Sequence, residues 1–252
     1  MLIDTHAHIY TEYYEDIETV LTKSFEHGIN YIISSGVNHK TNTELIDLAS
    51  DYKNLYITLG IHPESADDYL DSDITFIEKN INNPKVVAIG EIGLDYHYEG
   101  YDKQKQIDLF KKQLTIAEKN HIPVVIHSRE ATQDTIDILK KFSVKGVIHS
   151  FSGSYEVAKE YIKMGYKLSI NGIVTFKNAH IKDIVKRIGI ENFVLETDSP
   201  YLTPVPFRGK TNFPGNIKYI AQFLETHLDL SLEEISNLTN ANVEHIFDKF
   251  KY

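Results

Sequence analysis

The chain has 252 residues, 42% of them hydrophobic and 25% charged, with 26 basic against 36 acidic side chains and a formal charge of −10. Composition and length suit one globular α/β domain spanning residues 1–252, and the acidic balance excludes a protein that coats duplex nucleic acid by bulk electrostatics, though not one that grips a few phosphates through divalent cations. Zero cysteines exclude disulfides and thiolate metal sites, so any metal must take nitrogen and oxygen ligands.

No stretch approaches the apolar length of a membrane span. Met1 leads directly into a strand-like run, with no basic leader or apolar signal core, which predicts a cytoplasmic protein. That run, LIDTHAHI, alternates so that Asp4, His6 and His8 share one face. Two imidazoles on one rigid face can hold one cation. Asp4 lies two residues deeper and is expected below the ions, accepting a hydrogen bond, for example from the second nitrogen of a histidine.

Seven further apolar runs follow: YIISSGV, LYITLGIHP, VVAIGEIGLD, IPVVIHSR, GVIHSFSG, KLSINGIV and FVLETDSP. Amphipathic segments separate them. Residues 103–120 place Ile107, Phe110, Leu114 and Ala117 near helical spacing. Gly28, Gly146, Gly165 and Gly189 stand just before strands, as helix terminators do. Segments 216–227 and 232–250 read as two closing helices. Eight strands alternating with helices predict a (β/α)8 TIM barrel with a divalent metal centre at its C-terminal mouth. An open doubly wound sheet is disfavoured, because it would want a Gly-rich loop after the first strand and DTHAHIYTEYY has no glycine.

The metal-capable residues gather where strands end. His6 and His8 lie on the first, His62 on the third, Glu91 on the fourth, His127 on the fifth, His149 on the sixth and Asp198 on the eighth. In a barrel these ends converge on one mouth. Six donors are too many for one tetrahedral ion and suit two ions sharing a bridge. Glu91 is the natural bridge, because a carboxylate has two oxygens. His6, His8 and Asp198 would complete one ion, and His127 and His149 the other. His62, followed by Pro63, reads as a support behind the ligands or as a substrate contact. The donor mix accepts zinc, manganese or magnesium. His27, His39, His97, His121, His227 and His245 fall in helical or loop-like stretches and read as ordinary surface or packing residues.

The stretches DTHAH, GIHP, GEIGLDY, IHSRE, HSFSG and TDSPYLTPVPFRGKTN resemble, in order and across residues 4–212, the TatD-type metal-dependent hydrolases of the amidohydrolase-like barrels. The resemblance implies a TIM barrel, a one- or two-metal site held by His6, His8, Glu91, His127, His149 and Asp198, and deoxyribonuclease activity, often exonucleolytic. Hydrolysis of DNA at single-stranded ends is therefore expected, with Asp198 taking the water's proton and Glu91 at the metals. Arg129 would reach a phosphate, and Arg208 and Lys210 stand among Tyr201, Phe207 and Phe213, as suits a strand with stacked bases. The alternative is an amidohydrolase or esterase acting on a small molecule or aminoacyl ester. Many such enzymes bridge their ions with a modified lysine on the fourth strand, where this chain has Glu91 and only Lys85 before the apolar run. No membrane contact and no obligate protein partner is implied.

Overall fold

The computed structural model describes residues 1–250. Its eight strands are β1 (Leu2–Ala7), β2 (Ile29–Ser35), β3 (Leu55–Leu59), β4 (Val86–Asp95), β5 (Val124–Arg129), β6 (Gly146–Ile148), β7 (Lys167–Ile170) and β8 (Phe193–Leu195). They form one parallel sheet in sequence order. The first and last strands meet: Asp198 N donates to His6 O at 2.9 Å and His8 N to Ser199 O at 2.7 Å. The sheet is thus the TIM barrel expected from the strand–helix alternation.

The helices between strands are α1 (Ile17–Glu26), α2 (His39–Asp51), α3 (Asp71–Asn80), α4 (Lys103–Asn120), α5 (Thr132–Leu139), α6 (Tyr155–Lys163) and α7 (Ile181–Ile188), followed by α8 (Ile217–Leu228) and α9 (Leu232–Ile246). The anticipated 103–120 helix is α4. The Asp102 side chain accepts from Lys105 N at its start, and Leu109, Phe110, Leu114 and Ala117 turn inward. Ser231 and Glu234 form a reciprocal cap at the start of α9. Among the described residues no helix is long and apolar enough to cross a membrane.

Two apolar layers hold the barrel. The larger lies between helices and strands. The smaller gathers Ile3, Ile33, Tyr56, Val87, Val125, Val147 and Val194 from the strands, and Val243, Ile246, Phe247 and Phe250 from α9 and its continuation cover them. That end of the barrel is closed by the chain's own C-terminal segment.

Three readings change. The strands are shorter than their apolar runs: β1 ends before His8, β3 before His62, β6 before His149 and β8 before Asp198. At the mouth, side chains replace the ladder; Ser34 Oγ accepts from Ile9 N and Ser169 Oγ from Ser150 N. The last helix ends at Ile246 rather than 250, because the chain turns there to seat Phe247 and Phe250. Gly146 is the first residue of β6, not a helix terminator, and a Cβ there would lie 2.1 Å from Val124 O. Gly28, Gly165 and Gly189 do adopt positive φ.

Candidate active site

Alternation along each strand builds the site from the wall of the barrel. Two residues beyond Val125, Val147 and Val194, which face the lower interior, come His127, His149 and Glu196. Gly93 lets β4 approach β5 here: a Cβ would fall 1.9 Å from His127 O, and its φ of +149 suits glycine. Asp198 has φ +55, a left-handed turn just after β8 that an aspartate tolerates better than most residues.

Glu91 is central and almost fully buried. Its Oε2 faces His6 Nε2 at 3.3 Å and His8 Nε2 at 3.7 Å. Its Oε1 faces His127 Nδ1 at 2.7 Å, His62 Nε2 at 3.6 Å and His149 Nε2 at 3.7 Å. Asp198 Oδ1 lies 3.4 Å from His8 Nε2 and 3.8 Å from the Nε2 atoms of His6 and His149. The six strand-end residues therefore converge, as barrel geometry requires. For bonds of about 2.1 Å to one cation, tetrahedral neighbours sit about 3.4 Å apart, which is the spacing found.

The outer nitrogens decide what the inner ones offer. His8 Nδ1 donates to the Tyr10 hydroxyl oxygen at 2.7 Å, which in turn reaches the Ser35 carbonyl at 3.4 Å. A carbonyl only accepts, so this direction leaves His8 Nε2 with a bare lone pair. His149 Nδ1 donates to Glu196 Oε2 at 3.0 Å, so once that ring is deprotonated, as metal binding would need, its Nε2 lone pair faces the cluster. Imidazole nitrogens and carboxylate oxygens thus crowd one buried space, an arrangement able to hold a cation.

Within the chain the imidazoles and carboxylates offset one another's charge. Burial alone would raise the Glu91 carboxyl, yet His149, His6 and His62 hold it well below its usual range. Burial opposes charge on His149 too, but Glu196, Glu91 and Asp198 push its pKa up to about 10. His127 rises to about 9 against burial, through Asp95 and Glu91. Asp198 stays below its usual value despite burial, because His149 and His8 face it. His6 falls, through burial and the His149 charge.

Three groups of side chains have the spacing to hold a metal: His6, His8 and Asp198; His62, Glu91 and His127; His6, His149 and Glu196. The first is the expected set. The second brings in His62, which the sequence suggested as a support behind the ligands or a substrate contact, and His149 leans instead toward His6, with ring centroids 3.8 Å apart. Glu196 and Asp95 went unread in the sequence. Glu196 is two residues before Asp198 on the same apolar run, so alternation counted back from Asp198 would have found it; Asp95 ends β4 and holds His127 Nε2 at 3.0 Å.

Asp4 is buried below the cluster, as expected, but its partner is not an imidazole. It accepts from Thr197 N at 2.8 Å and from Thr197 Oγ1 at 2.5 Å, tying β1 to the turn after β8. Burial raises its carboxyl well above the ordinary range. Arg129 is exposed and sits 5.3 Å from the Tyr98 ring centre, with Nη1 3.3 Å from the Tyr98 hydroxyl. Arg208 stacks on Phe176 at 3.9 Å, and Lys210 lies 5.7 Å from the Phe207 ring. None of these three cations enters the donor cluster. Lys85 donates to the carbonyls of Tyr52, Lys53 and Leu55 at 2.6, 2.9 and 3.1 Å, away from the donor cluster.

The sequence model of the TatD related DNase family matches residues 3–248. The chain belongs to this family. The metal-dependent hydrolase YabD of Bacillus subtilis is 40% identical over 252 residues, covering 98% of this chain and 99% of that one. The metal-dependent hydrolase YcfH of Escherichia coli is 31% identical over 254 residues, covering 98% and 95%. The crystal structure of the TatD homologue YjjV from Escherichia coli superposes with a TM-score of 0.93 at 28% identity, covering 98% of both chains. Membership makes this chain a metal-dependent hydrolase, in agreement with its cluster of buried imidazoles and carboxylates.

Proposed function

We propose that residues 1–252 act as one domain that hydrolyses phosphodiester bonds in DNA at single-stranded ends, using two divalent ions drawn from zinc, magnesium or manganese. The observation that carries this reading is the division of Glu91: one carboxylate oxygen faces His6 and His8, the other faces His62, His127 and His149. A carboxylate so placed suits a bridge. His6, His8 and Asp198 would hold one ion; His127, joined by His62 or His149, would hold the other, with Glu91 shared. When bound, such ions polarise the phosphoryl group and activate the attacking water.

The protein's own part is to position and to move protons. The Asp198 carboxylate, held below its ordinary pKa by His149 and His8 against burial, would accept the proton of the attacking water. That proton passes to the leaving oxygen as the P–O bond breaks, which regenerates the carboxylate. Glu196 and Asp95 fix the rings of His149 and His127. Arg208 and Lys210, exposed on the loop after β8, would meet the backbone of the strand away from the metals. Lys85, engaged by three carbonyls, offers no modified-lysine bridge, which disfavours the small-molecule amidohydrolase reading.

The test is metal analysis of the purified protein, then parallel assays on 3′-labelled and 5′-labelled single-stranded DNA before and after chelation. Stoichiometric divalent metal, DNA cleavage lost on chelation and cleavage restored by one of the three ions would support the proposal. Cleavage that survives complete metal removal would overturn it.

A further inference from the structure

Beside the donor cluster lies a second space that the proposed chemistry does not use. It is an open cavity of about 470 Å³ between the turn at Pro63–Ser65 and the loop joining β4 to α4, inside the range of about 300–1,000 Å³ usual for small-ligand pockets. It adjoins the site directly. Asp95 forms part of its wall and also holds His127, and Glu64, on its rim, follows His62 by two residues.

Its lining is aromatic and acidic. Tyr98 and Tyr101 are both exposed, at 54% and 40%. Tyr101 is braced by a parallel stack on Tyr96, with centroids 4.8 Å apart, and Tyr98 by the Arg129 guanidinium. Of the carboxylates, Asp67 is paired with Lys105, Asp102 caps α4, and Asp95 is on His127. Glu64 and Glu99 remain. Glu64 makes only a 3.9 Å approach to His62, and no hydrogen bond or ion pair engages Glu99 among the described residues. Of the cations beside it, Lys105 is engaged by Asp67 and Arg129 by Tyr98.

We propose that this cavity receives the nucleobase of the nucleotide next to the scissile phosphate, and that it favours bases carrying an exocyclic amine. This rests on the nuclease reading above. A phosphate would be repelled by Glu64 and Glu99, so the group that enters is the neutral part of the nucleotide. A base offers flat faces to Tyr98 and Tyr101, and cytosine N4 or adenine N6 offers N–H donors to a carboxylate. Thymine presents an acceptor oxygen at the corresponding edge and meets the carboxylates unfavourably. The rest of the strand leaves toward Arg208 and Lys210.

The experiment compares kcat/KM of the metal-loaded protein on single-stranded oligonucleotides that differ only in the terminal nucleotide, dC, dA or dT, placed at the end the enzyme attacks. The wild type should prefer dC and dA over dT on the order of tenfold. Glu99→Gln, which adds a donor, should shrink or reverse that ratio. Tyr98→Ala should cost about tenfold or more on all three substrates through lost stacking, and Tyr98→Phe, which keeps the ring, should recover most of it. A wild type indifferent to the terminal base, or a ratio unchanged in Glu99→Gln, overturns the pocket and leaves the nuclease reading standing. A wild type with no cleavage of any of the three overturns both.

Discussion

The two ends of the barrel are built by the same strands and made of opposite chemistry. At the N-terminal end, Ile33, Tyr56, Val125, Val147 and Val194 meet Phe247 and Phe250 in a dry plug. Two residues further along the chain from Ile33, Tyr56, Val125, Val147 and Val194 stand Ser35, Thr58, His127, His149 and Glu196, on the strands or just past their ends. That is about 6–7 Å of rise, and it separates a layer that only packs from a layer where almost every side chain is an acceptor or an ionisable group. The lower layer is apolar and packs the wall from within. The upper layer concentrates charge that would be costly alone and becomes favourable around a cation. The chain thus keeps stability and chemistry on different residues of one scaffold.

If that division is real, the two layers respond differently to mutation. The largest effect is expected at Glu91. Glu91→Ala removes the side chain whose two oxygens divide between the donor groups, and should lower hydrolysis by about 10³-fold or more while emptying the site. Circular dichroism should still show the fold, and full activity would place the bridge elsewhere.

Phe247→Ala is the mirror case. Opening a cavity in the plug should cost about 3–5 kcal/mol of stability, read from denaturant unfolding. The kcat of the folded fraction should stay near wild type. A selective loss of metal in that variant would show that the layers are coupled.

Glu196→Gln tests the shell behind the ligands. It leaves the His149 ring without its anionic partner and should lower metal affinity or activity by about 10–100-fold, measured by metal titration.

Asp4 marks the boundary between the layers. Its carboxyl is buried, is held toward the neutral form, and bonds Thr197 rather than a ring. Asp4→Asn should therefore cost less than His6→Ala in both metal content and rate. The reverse order, with the fold intact, would make Asp4 part of the metal shell.

The smallest effects belong to the rim. Arg208→Ala and Lys210→Ala should weaken single-stranded DNA binding by about two- to fivefold each and flatten its salt dependence, with metal content unchanged. Loss of metal in either variant would make the loop a support for the site rather than a contact for substrate.

Period-two alternation and strand-end position were sufficient, from the sequence alone, to name the barrel and the residues that converge at its mouth. His6, His8, Glu91, His127, His149 and Asp198 could be picked because a closed parallel barrel leaves strand ends nowhere else to point. Only the tertiary structure decided how these residues pair. That His62 sits beside Glu91 and His127, that His149 leans on His6 and Glu196, and that Asp4 serves Thr197 all depend on barrel stagger and on turns such as the left-handed Asp198. The cavity beside Asp95 likewise arises from two loops about thirty residues apart. Local pattern sets which face a side chain occupies; which partner it finds there is set by the register between strands, and that exists only once the sheet has closed.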